Sequence, residues 1–319
     1  MKQFRPALAA SIKVIVFVVA ANIGRAAAND PLGNYLSQNG YGSAPLVHPR
    51  NYYHLRVRSN GNAGSLFIDT GAPTSLVFRS SLKRLGLVEE KTSKHVTGAF
   101  GSGSDVFGRA SIKTLTIGNC AFADVPIVIA NGRGESVLDP VRPDGGLGLD
   151  ELIRYGAVLD FKNRLIYLQT SQKKKNSGGN VRSILLKEGY TPVPLSMVDR
   201  HLVIHGSLNG LSCRLVVDTG AFLTAFSSDF ITRAGFKTVA TPFIAEGIGG
   251  SSHVRMVKFA SLRIENYEIR NGSATVAPLY REVFNSRSGI AGLIGAEYLG
   301  MNWAVFDFTD ETMYLRPRH

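Results

Sequence analysis

Cysteine is almost missing from this 319-residue chain, which holds only Cys120 and Cys213. Two thiols cannot staple a disulfide scaffold. One falls in each half of the sequence at positions that do not correspond, so two buried thiols are the simpler reading and a bridge between them has no support. Charge is also thin, 19% of residues against 44% apolar, the balance of an ordinary globular protein. Basic residues are scattered apart from Lys173-Lys174-Lys175, and no aromatic-interleaved basic stripe occurs. That argues against a nucleic-acid partner. No apolar run reaches the roughly 20 residues a membrane-spanning helix needs.

The first residues nevertheless have a distinct order. Lys2 and Arg5 precede an apolar run centred on Val14 to Ala21, and Ala26-Ala27-Ala28 follows. A positive end, an apolar middle and a small-residue cleavage site make residues 1–28 a secretory signal peptide, with an uncleaved anchor as the alternative. Removal takes Lys2, Arg5, Lys13 and Arg25 with it, which lowers the formal charge from +12 to +8. The expectation is an exported, periplasmic or secreted protein without stable membrane insertion, still basic enough to favour anionic surfaces.

What the sequence does have is a repeat. Phe67-Ile68-Asp69-Thr70-Gly71-Ala72 returns as Val216-Val217-Asp218-Thr219-Gly220-Ala221, 149 residues later. At that offset Pro45-Leu46 maps to Pro194-Leu195, Asn60-Gly61 to Asn209-Gly210 and Gly86 to Gly235. Further on the offset becomes 147, pairing Gly148 with Gly295, Asp160-Phe161 with Asp307-Phe308 and Tyr167-Leu168 with Tyr314-Leu315. A duplication of this extent decides the architecture.

Within each copy the pattern is mainly β. Alternating strands flank Asn60-Gly61 and Asn209-Gly210, the strongest short hairpin signal, so each Asp ends a buried strand. A short helix closed by Gly86 or Gly235 follows. Two glycine-rich runs lie between strand-like residues, Gly98-Ala99-Phe100-Gly101 and Gly247-Ile248-Gly249-Gly250. Their places in the repeat suit mobile lids whose backbone can approach a ligand closely. Each copy ends in a Gly-turn, Gly146-Leu147-Gly148 or Leu293-Ile294-Gly295, then a short helix and two strands. The division expected is a flexible leader at 29–44, a first lobe at 45–170, a solvated linker at 171–182 and a second lobe at 183–319. Pseudo-two-fold symmetry relates the two lobes.

Face to face on that axis, Asp69 and Asp218 would share one pocket. Two like charges so close cannot both ionise easily, so the pair holds one proton. The ionised member can take a proton from water while the other polarises a carbonyl or protonates a leaving amine; aspartic proteases are the standard illustration of this split. Gly71 and Gly220 let the turns tighten onto the carboxyls. The stiff Thr70 and Thr219 can bond across the axis. Ala72 and Ala221 supply no hydroxyl to the acids, which should leave their pKa values higher.

These motifs resemble the retropepsin-like aspartic proteases, on the strength of the two Asp-Thr-Gly-Ala turns, Gly247-Ile248-Gly249-Gly250 as a flap tip and Leu293-Ile294-Gly295 as the apolar-apolar-Gly turn. The resemblance runs from about Pro45 to the end. It implies two retropepsin-like β-barrel lobes fused in one chain, and a monomeric endopeptidase cutting polypeptide beneath two flaps without metal or cofactor. The sequence departs from the family at Gly146, where an apolar residue is usual, and at Ala99-Phe100-Gly101. Neither flap carries the tyrosine of pepsin-like enzymes. Alternatives are an inactive relative that binds peptides, a structural envelope protein, and a metal enzyme using His201 and His205, which share one strand face but have no acid or Cys partner nearby in sequence.

Overall fold

The computed structural model describes residues 30–47, 52–94, 97–98, 101–102, 107–131, 142–170, 178–247, 250–279, 284 and 288–317. Both Asn-Gly pairs form the tight turns the sequence predicts. Asn60 and Gly61 take φ of 50° and 85°, and Asn209 and Gly210 take 47° and 85°, the left-handed values a two-residue hairpin needs. Strands His54–Ser59 and Asn62–Ile68 thus fold back on each other, as do His201–Leu208 and Leu211–Val217.

The strand ending at each Asp is held on its far side by a second strand. Gly145–Leu147 runs parallel to Asn62–Ile68 and antiparallel to Leu76–Phe78. Ile290–Ile294 does the same for Leu211–Val217 and Ala225–Ser227. Each Asp therefore emerges between two flanking strands, with Asp69 N–H donating to Leu147 O and Asp218 N–H to Ile294 O, both at 3.0 Å. Ile68, Val77, Leu215 and Val217 are fully buried beneath these turns. The short helices behind them, Leu82–Leu85 and Ser228–Arg233, are followed by left-handed Gly86 and Gly235.

Six antiparallel strands, three from each half, join the lobes in the order Thr191–Pro194, Thr312–Leu315, Val305–Asp307, Val158–Asp160, Leu165–Gln169, Tyr41–Val47. At the centre Val158 faces Asp307 and Asp160 faces Val305, so equivalent residues exchange places across the axis. The alternation of the strands divides the sheet into two faces. Leu159 and Phe306 enter the main core, where Phe161 stacks on Tyr53 with ring centroids 4.1 Å apart. Val158 and Val305 point the other way, under two helices.

Those helices correct two expectations. Residues 29–44 are not a loose leader: Pro31–Gln38 is a helix capped by Asp30, and Tyr41–Val47 is a strand of the joining sheet. Nor does the linker reach residue 182, because the helix Gly178–Lys187 has begun by then. The two helices are themselves repeats, since Leu36, Gly40 and Tyr41 correspond to Leu185, Gly189 and Tyr190, again 149 residues on. All but the glycines are buried, and both glycines end their helix at φ 83°. Polar composition hid an i, i+4 pair, Leu32 and Leu36, that packs on the sheet. The signal peptide expected at residues 1–28 lies outside the described residues.

Candidate active site

The two Asp turns meet tip to tip. Thr70 Oγ1 donates to Val217 O at 2.7 Å and accepts Thr219 N–H at 3.0 Å. Thr219 Oγ1 reciprocates, donating to Ile68 O at 2.8 Å and accepting Thr70 N–H at 3.0 Å. Both threonines are completely buried, so each hydroxyl satisfies two backbone groups of the opposite lobe that water cannot reach.

This lock sets the carboxyls opposite one another. Asp69 Oδ1 accepts the N–H groups of Gly71 and Ala72, both at 3.0 Å. Asp218 Oδ1 accepts those of Gly220 and Ala221, at 2.9 and 3.0 Å. A methyl group on Gly71 would lie 2.5 Å from the Asp218 carboxyl carbon, and one on Gly220 equally close to Asp69. Only glycine lets each loop press against the other's acid. The two carboxyls lie close enough to couple electrostatically. Both keep some exposure but are crowded by protein, and desolvation raises both above the usual carboxylate range. The charge of Asp218 pushes Asp69 higher still, while the backbone N–H bonds oppose the rise in each.

A second tier behind the loops is invisible to motif reading. Ser75 Oγ donates to Asp150 Oδ1 at 2.6 Å and accepts Gly148 N–H at 2.8 Å. In the other lobe Gly295 N–H donates to Thr224 Oγ1 at 2.9 Å, and Thr224 N–H donates to Glu297 Oε1. Ser75 and Thr224 are equivalent, as are Asp150 and Glu297, so the repeat offsets were the signal that could have found them. Glu297 is half-buried, and desolvation raises its pKa. The departure at Gly146 has a packing cause: a side chain there would meet the Phe67 ring at 2.9 Å. The other lobe pairs Val216 with Leu293 at the same place, so large and small residues have exchanged sides.

Of the glycine-rich runs, Gly98 pairs with Gly101, and Gly247 with Gly250 at the end of the Thr238–Ile264 hairpin. Their tips, Ala99-Phe100 and Ile248-Gly249, lie outside the described residues. His201 and His205 fall on alternate positions of one strand but differ in setting: His201 is half-buried, whereas His205 is exposed opposite Arg214. Cys120 and Cys213 are buried free thiols.

Comparison with known proteins places this geometry. A family model described as aspartyl protease matches residues 55–150 and again 204–298, together more than half of the chain. Curated proteins gave no match. Among solved structures, the aspartic proteinase from Irpex lacteus is similar at 18% identity and a TM-score of 0.48, over 87% of this chain and 97% of that one. The EIAV protease complexed with an inhibitor is similar at 13% identity and a TM-score of 0.26, over 32% of this chain and 88% of that one. The chain belongs to the aspartyl protease family and carries that family's unit twice.

Proposed function

We propose that the chain is an exported aspartic endopeptidase that hydrolyses peptide bonds of unstructured polypeptide, with Asp69 and Asp218 as its catalytic dyad. The observation that carries this reading is the reciprocal packing of the two Asp-Thr-Gly loops, which presses each loop's glycine against the other's acid and crowds the two carboxyls together. One proton held jointly gives the pair both functions that hydrolysis needs. The ionised member takes a proton from a water lying between them, and the resulting nucleophile attacks the scissile carbonyl. The protonated member donates to the carbonyl oxygen. Collapse of the tetrahedral species then returns a proton to the leaving amine. Two carboxyls and water complete this cycle, and no metal or cofactor is called on.

In this reading Thr70 and Thr219 fix the spacing of the dyad. The hairpins closing at Gly98–Gly101 and Gly247–Gly250 serve as flaps over the substrate. Residues 1–28 direct export, and one chain supplies both halves of the site, so the enzyme works as a monomer.

The test is cleavage of a random peptide library across pH by the mature chain and by its Asp69→Asn and Asp218→Asn variants. General acid–base catalysis contributes about 10² to 10⁴ in rate. Each substitution should therefore lower turnover by at least about 10² while leaving the circular dichroism spectrum intact. Unchanged cleavage by either variant would remove the dyad. A wild-type chain that binds peptides but cuts none would be an inactive peptide-binding relative.

A further inference from the structure

The two lobes differ at one place that has no part in the dyad. In the first lobe Arg84, on the helix Leu82–Leu85, pairs with the Asp144 carboxylate and donates from Nη1 to Ala63 O at 3.2 Å. Asp144 is buried, and its Oδ2 accepts Ser65 N–H at 2.9 Å. In the second lobe the repeat keeps the arginine, as Arg233, but sets Ala291 where Asp144 stands and Ala234 where the buried Leu85 stands. The strand register bears out this match, since Leu147 lies beside Ile68 as Ile294 lies beside Val217. The cation is retained and its carboxylate is not.

A pocket of about 720 Å³ stands at that place, walled by Leu211, Phe230, Phe236 and Ile290, and lined also by Arg233, Ala234 and Ala291. Its volume falls within the roughly 300 to 1,000 Å³ of small-molecule sites, which are mostly apolar with a few polar groups to fix orientation. Ile290 is buried, whereas Leu211 and Arg233 are open to solvent. A second guanidinium is close by: a methyl group on Gly289, another lining residue, would lie 3.3 Å from Nε and Nη2 of Arg214. Among the described residues neither Arg214 nor Arg233 pairs with a carboxylate.

We propose that this pocket binds a carboxylate carried on an apolar body, with Arg233 taking the head group as Arg84 takes Asp144 and the aromatic wall taking the body. A guanidinium fork matches the two oxygens of a carboxylate, and covering the apolar wall releases its water. The pocket lies at the far end of the strand that holds Asp218. Leu211–Val217 is 7 residues long, which at about 3.3 Å per residue puts roughly 20 Å between the two. A bound acid therefore leaves the cleft at the dyad free, and the assignment does not rest on the proteolytic reading.

The experiment is calorimetric titration of the mature chain with octanoate and with N-acetylphenylalanine, whose neutral amides serve as controls. The two acids distinguish an acyl from an aromatic source of the same chemistry, and tighter binding of either supports the pocket. Each amide should bind at least about tenfold more weakly than its acid. Arg233→Gln should weaken the acids by about the same factor, and so should Ala291→Asp, which rebuilds the first lobe's ion pair inside the pocket. No binding of either acid, amides that bind as tightly as the acids, or unchanged affinity in either variant would overturn the assignment. Should Ala291→Asp not fold, Ala234→Leu restores the bulk of Leu85 in its stead, and wild-type affinity there would overturn it equally. A chain that cleaves no peptide would sink the protease reading and leave every arm of this test as it is.

Discussion

Replacing Thr219 by Val keeps its shape but strips two hydrogen bonds from the seam between the lobes, leaving Thr70 N–H and Ile68 O buried and unpaired. At about 1 to 3 kcal/mol for each orphaned group, the expected loss is about 2 to 6 kcal/mol, read from urea denaturation. The Thr70 hydroxyl bonds the Thr219 N–H and the Val217 carbonyl, backbone groups that Thr219→Val leaves in place, so the two single changes should add in the double Val variant. The acids carry a pH prediction. Both sit above the usual carboxylate range because desolvation disfavours their charge, and Asp218 adds to the rise of Asp69. The single-proton state should extend to higher pH than in an unperturbed pair, placing the optimum of kcat/KM above pH 4. The sign for stability follows: a carboxyl protonated more readily in the folded state stabilises it at acid pH. That contribution fades as pH rises from the ordinary carboxylate pKa through the raised one. Asp69→Asn should flatten the decline, and a wild-type melting curve insensitive to pH across that window would contradict the crowding.

Secondary-structure elements were readable where a local rule had no competitor. Asn-Gly needs positive φ at both positions, and the hairpins formed where those pairs stand. The helix Pro31–Gln38 was missed because its apolar signal is one turn long and sits among polar residues; tertiary packing, not local pattern, makes it. Its weight is testable. Leu36 is completely buried between helix and joining sheet, so Leu36→Ala should lower stability by about 2 to 5 kcal/mol, and deleting residues 30–40 should destabilise rather than activate the protein. A truncated form with higher activity and unchanged melting temperature would show the segment to be a removable leader. The loops' second tier was equally hard to read in advance. Ser75, Asp150, Thr224 and Glu297 match no catalytic motif, and only folding brings each pair together from more than 70 residues apart.

At the scale of the whole molecule, the duplicated sequence announced two alike lobes, and the joining sheet supplies what the duplication could not: where they touch. Both copies of the acid loop and both central strands belong to one chain. Turnover per chain should therefore stay constant on dilution through the nanomolar range, where an enzyme assembled from separate subunits would lose activity. A falling specific activity, with a sedimentation coefficient that drops in step, would point to an obligate dimer instead.

The exchange of bulk between Phe67/Gly146 on one side and Val216/Leu293 on the other carries a lesson about inheritance. A self-associating single unit must wear every substitution twice, once per copy, whether or not both places benefit. Covalent fusion lifts that obligation. Each half is free to drift alone, and a channel whose walls differ can tell the head of an entering peptide from its tail.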